Sequence, residues 1–159
     1  MELHHQAAAA VSITSRLLFG VSLAERYPSV YSPWLGFARR IIAECYFKMR
    51  RIEEALDEAR LAAEIWNKVA TIRPSHESTQ IAKTYLVLMQ CEVASHHNEP
   101  AVAALERALN LLEIPLKINP KPLLPIVSDL INLALTIDPT AARLVPSELS
   151  GLLKPPQAN

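Results

Sequence analysis

Glycine is nearly missing from this chain: three in 159 residues. Gly20 and Gly36 stand alone, so no glycine-rich loop is available to cradle a phosphate, and Ser15, Ser32 and Ser78 lack the Gly-x-Ser-x-Gly elbow of a hydrolase nucleophile. Two cysteines, Cys45 and Cys91, have neither Cys-x-x-Cys nor Cys/His spacing, which argues against a disulfide framework and a zinc site. Both fall in apolar stripes and read as buried thiols in a reducing compartment. Net charge is absent too, with sixteen basic residues against sixteen acidic ones, so no overall field draws nucleic acid or an anionic membrane. The apolar run Ala7–Leu23 is preceded by Glu2 and interrupted by Ser12, Thr14, Ser15 and Arg16, unlike a signal peptide or a membrane span. A soluble, cytoplasmic protein is the expectation.

Half the residues are apolar, enough for one domain with a real core. Ala, Leu, Ile, Glu, Arg and Lys dominate, which favours helix almost throughout. From Ala38 to Met49 and again from Ile52 to Trp66, apolar residues recur three and four apart, the pattern of two buried helical stripes joined at the charged corner Lys48–Arg51. This hairpin repeats. Pro28, Pro74 and Pro120 are spaced by 74 − 28 = 46 and 120 − 74 = 46 residues. The same offset pairs Ala24 with Ala70, Cys45 with Cys91, Ala55 with Ala101 and Ala62 with Ala108, without a gap.

Divided on that period, the chain opens on a half unit over 5–26. A loop over Tyr27–Ser32 follows, closed by Ser32 as a cap and Pro33 at the first helical position. Complete units span 33–72 and 76–117. In the second, Ser75 caps the first helix, Asn98 caps the second, and Pro115 breaks or bends its last turn. A partial unit with a capping segment covers 121–153, and 154–159 is a disordered tail. Four of the twelve prolines sit in joints and the other eight crowd after Ile114.

The hairpin resembles the tetratricopeptide repeat (TPR). Ile42-Ala43 stands where that family has leucine and a small residue, Tyr46 at its aromatic, Ala55 at the small residue opening the second helix, and Ala62 where the two helices cross. The second copy keeps Leu88, Ala101 and Ala108 but carries Met89 and Glu92 at the small and aromatic positions, and the family's tryptophan is replaced by Arg39 and Tyr85. A period of 46 exceeds the ~34 residues of the common repeat and is similar to the long-helix variants of kinesin light chains and of bacterial and fungal arrays. The resemblance implies an all-α fold, an α-solenoid of antiparallel helix pairs with about three units, an incomplete first unit and an irregular C-terminal cap. It also implies that first helices line a concave groove. The positions off the buried stripe there are Phe37, Arg40, Glu44, Phe47 and Lys48 in one unit, and Lys83, Leu86, Gln90 and Val93 in the next. Glu44 stands where the chaperone-tail carboxylate clamp has asparagine, so binding of acidic C-terminal tails is not expected.

The expected function is therefore a non-catalytic interaction scaffold that holds a peptide or helix segment in its groove, with no cofactor, metal, nucleic acid or membrane partner. Glu92 and His96, four apart, share a helical face but lack a third ligand of convincing spacing. The alternative is a structural self-assembly unit, or a fragment of a larger repeat protein. Association would then run through the N-terminal helix or the apolar segment Ile114–Leu135.

Overall fold

Helix is the only regular structure among the described residues, as the composition and the spacing of apolar positions predict. The computed structural model describes residues 19–72 and 77–150. Residues 19–26 form α1, followed by α2 (Pro28–Lys48), α3 (Ile52–Ile72), α4 (Ser78–Ala94), α5 (Asn98–Ile118) and α6 (Leu124–Ile137). A 3-10 segment, Pro139–Leu144, and the single turn α7, Ser147–Ser150, close the described chain. The upstream part of the half unit, the Ser75 cap and the tail 154–159 lie outside the described residues.

The 46-residue period is visible hydrogen bond by hydrogen bond in the hairpin turns. At the end of α2, the Arg50 amide donates to the Phe47 carbonyl at 3.0 Å and the Arg51 amide to the Tyr46 carbonyl at 3.0 Å. At the end of α4, His96 donates to Val93 at 3.0 Å and His97 to Glu92 at 2.8 Å, the same pair of bonds displaced by one period. This is a Schellman closure, which satisfies carbonyls that the helix end leaves unpaired and sets one residue in the left-handed region. That residue is Arg50 in one turn (φ 63°) and His96 in the other (φ 60°), where glycine would avoid the Cβ penalty.

Small residues let the helices approach. Ala43, Ala55, Ala59, Ala62, Ala101 and Ala108 are fully buried, and Ala55/Ala101 and Ala62/Ala108 occupy equivalent places in α3 and α5. α2 packs on α3, α3 on α4, α4 on α5 and α5 on α6, while α2, α4 and α6 also touch as a row. Trp66, on α3, is the largest side chain with no solvent exposure, and it lies against Gly36 of α2. A Cβ at Gly36 would come within 2.9 Å of Trp66 Cε2 and 3.2 Å of Ile65 Cγ2. Burying an aromatic of this size stabilises by roughly 1.5–3 kcal/mol, and glycine is what leaves room for it. Val127, Leu130, Ile131 and Ala134 of α6 are buried as well, and the 3-10 segment packs on α6.

Helix boundaries differ from the sequence reading at the prolines. α2 starts at Pro28, not Pro33, so Tyr27–Ser32 is not a loop and Ser32 is not a cap. Pro28 at the first position sacrifices no bond, and Pro33 inside the helix forfeits only the one that Ser29 would accept. Asn98 is likewise the first residue of α5 rather than its cap, and His97 stands before it without a side-chain cap. Pro115 does not end α5, which continues to Ile118 and is buried at that proline, so packing outweighs one lost hydrogen bond. α4 begins at Ser78, after Glu77 in a left-handed conformation (φ 64°).

Cys45 also departs from expectation: it is exposed, whereas Cys91 is buried. α4 is enclosed by α2, α3, α5 and α6, while among the described residues α2 packs on α3 and α4, with Gly20 of α1 against Trp34.

Replacing Arg50 or His96 with glycine should stabilise the fold by about 1 kcal/mol each, raising the thermal midpoint by ~2–4 °C per substitution. Gly36→Ala should do the opposite and cost about 1–3 kcal/mol through overpacking against Trp66, although alanine is the better helix former by ~1 kcal/mol. Chemical denaturation of the three variants checks both signs.

Candidate binding groove

Of the nine groove positions named from the sequence, all but Phe37 and Val93 line one depression of about 430 Å³ between α2, α4 and α6. α2 contributes Arg40, Glu44, Phe47 and Lys48, successive turns of one face, and α4 contributes Lys83, Leu86 and Gln90. Val87 of α4 and Ile126 of α6 complete the lining. Phe37 does not line it. That ring is exposed two turns before Glu44 on the same helix, beyond the end of the depression, and lies 5.1 Å from the Arg40 guanidinium carbon. Ile126 was missed because it belongs to the third first-type helix. Its register equivalent one period back is Gln80, which reaches Arg40 of α2 in the structure, a contact that the sequence pattern alone does not reveal.

Arg40 organises the α2 wall. Its side chain is buried, an unusual state for arginine that requires partners. One terminal nitrogen donates to Glu44 four residues on, the other donates to Gln80 Oε1 of α4 at 3.2 Å, and the guanidinium carbon lies 5.1 Å from the centre of the Phe37 ring. Nε, also buried, has no hydrogen-bond partner. The guanidinium therefore ties α2 to α4 while Glu44 is taken up in neutralising it. Lys48 and Lys83 stand exposed at the rim with no ion-pair partner among the described residues. The floor between them is apolar, formed by Phe47, Leu86, Val87 and Ile126. Volume and lining fall within the ~300–1,000 Å³ range of ligand sites.

A second polar cluster lies across α3 and α4 and serves the scaffold. Glu92 is buried, and both its oxygens accept from the Arg60 guanidinium at 2.9–3.2 Å, while His97 Nδ1 lies 2.9 Å from Oε2. His96, the residue paired with Glu92 by spacing, projects into solvent from its left-handed turn. No three His, Cys, Asp or Glu side chains converge as a metal site would need among the described residues. Tyr85 hydroxyl donates to Asn67 Oδ1 at 2.8 Å; burial raises its pKa, and that bond opposes the rise. Burial, reinforced by the Glu92 carboxylate, pushes the Cys91 thiol up to about 11.

The two cysteines should therefore react very differently. At pH 8 a folded sample is expected to expose one thiol per chain, Cys45, to a disulfide reagent. Cys91 stays protonated and enclosed, at least ~100-fold slower, until denaturant opens the core. Cys45→Ser should abolish the fast phase. No helix among the described residues is long and apolar enough to cross a membrane. Comparison with family models, with curated proteins and with solved structures finds no match to this chain.

Proposed function

We propose that the chain is a non-catalytic interaction module, a TPR-like α-solenoid that holds a peptide or helical segment of a partner protein in the groove between α2, α4 and α6, in a cytoplasmic setting. The observation that carries this reading is the groove itself: an apolar floor of Phe47, Leu86, Val87 and Ile126 rimmed by the two uncompensated cations Lys48 and Lys83. An apolar floor supplies the driving force for a side-chain anchor, and rim charges orient a segment and speed its approach. Arg40, locked by Glu44 and Gln80, fixes one wall beforehand, so a ligand loses its own conformational freedom while the module loses little. Gln90, half-buried on the α4 side, offers both a donor and an acceptor to a bound backbone.

The test uses groove substitutions that leave Arg40 and the core untouched. Lys48→Glu with Lys83→Glu should weaken partner capture by the full chain by ~10-fold or more, without moving the thermal midpoint. Arg50→Gly, outside the groove, should leave capture unchanged. Partners retained equally by the folded Lys48→Glu/Lys83→Glu variant would place binding elsewhere.

A further inference from the structure

Beside the groove face of α2 runs a feature the binding reading leaves idle. Val30, Trp34, Phe37, Ile41 and Cys45 follow one another at intervals of four, three, four and four, a single helical stripe. It lies opposite the face that buries Leu35, Gly36, Arg40 and Ala43. All five are exposed, Val30 by 64%, Trp34 by 49%, Phe37 by 41% and Ile41 by 37%. No charged residue lies within the stripe, and at ~1.5 Å per residue it runs for about 22 Å. Phe19 of α1 is exposed near its upper end, where Gly20 lies so close to Trp34 that a Cβ would fall 2.5 Å from the ring. Among the described residues α2 thus carries apolar side chains on an exposed face as well as on its buried one, the mark of an incompletely buried helix.

We propose that this stripe is the interface of a homodimer, in which α2 of one protomer packs antiparallel on α2 of its partner about a twofold axis beside Phe37 and Ala38. The sequence of the stripe is complementary to its own reverse. With the axis at that point, Ile41 meets Trp34 of the other copy, Cys45 meets Val30, and the large Phe37 meets the small Ala38. Lys48, one turn beyond the stripe, meets the exposed Tyr27, a cation against an aromatic ring rather than another cation. No like charges are brought together.

The area is sufficient, though not generous. Aromatic and aliphatic side chains half-exposed along five turns, with Phe19 beside them, offer on the order of 500 Å² per protomer, which gives about 1,000 Å² in the pair, the lower bound for a specific interface. A weak dimer follows, with Kd on the order of micromolar. A closed twofold also suits the other end of the row. No large apolar side chain of α6 is fully exposed, and the 3-10 segment packs on that helix, so a head-to-tail chain of copies finds no matching apolar stripe there.

Sedimentation equilibrium of the full chain from about 1 to 500 μM should give a mass rising from 17.6 kDa towards twice that value. Phe37→Glu with Ile41→Glu should weaken self-association at least ~100-fold, with helix content and thermal midpoint retained, whereas Lys83→Glu in the groove leaves it unchanged. Trp34 supplies an independent reading, since Trp66 is fully buried. The acrylamide-accessible fraction of emission should fall with the same concentration midpoint as the mass rises. A mass of 17.6 kDa throughout overturns the proposal; if Trp34 is then shielded at every concentration, the chain's own residues 1–18 cover the stripe. Dimers that survive Phe37→Glu/Ile41→Glu, or a series growing beyond two copies, overturn it equally.

Discussion

The contact of Trp66 with Gly36 sets how close α2 and α3 can lie, and much of the remaining geometry follows from it. A ring of that size comes this close to a neighbouring helix only where that helix presents no side chain. Ala43, Ala55, Ala59 and Ala62 extend the same close approach along the hairpin, and Ala101, Ala104 and Ala108 do so in the next. Arg40, one turn along from Gly36, is thereby held at the seam with α4, where it reaches Gln80. The groove wall is in this sense a by-product of how tightly α2 sits on α3.

The two hairpin turns share a backbone and differ in chemistry. Tyr46 and Glu92 occupy the same position of the closure, as do Arg51 and His97. In the first turn the Arg51 guanidinium lies 4.6 Å from the centre of the Tyr46 ring. In the second, His97 Nδ1 lies 2.9 Å from the Glu92 carboxylate, and the Arg60 guanidinium of α3 supplies a cation. Where the first copy sets Arg51 on the Tyr46 ring, the second sets His97 on the Glu92 carboxylate at the same two places. A buried carboxylate is tolerable only with such partners.

Most of the architecture was legible because period and burial coincide: Ala55, Ala62, Ala101 and Ala108 are all fully enclosed, and α3 spans Ile52–Ile72 as the stripe predicted. Local capping signals were less informative. Ser32-Pro33 and Asn98 read as helix starts, yet α2 and α5 begin earlier because one forfeited hydrogen bond is a smaller loss than the buried contacts a longer helix makes. Within the groove, Arg40, Glu44, Phe47 and Lys48 were predictable from helical spacing on a single element. Ile126 required knowing that a third helix approaches the same depression, which is a tertiary fact. Cys45 was misplaced for a related reason: periodicity assigns equivalent positions but does not supply an equivalent neighbour.

Arg40 is the wall between two surfaces of α2. Its terminal nitrogens hold Glu44 and Gln80 at the groove, and its guanidinium carbon lies 5.1 Å from the centre of the Phe37 ring in the adjoining stripe. A side chain so confined cannot answer to one surface without informing the second. If a ligand and a second copy each favour a different tilt of the same guanidinium, thermodynamic reciprocity makes every gain in affinity at one surface reappear, by the same factor, at the other.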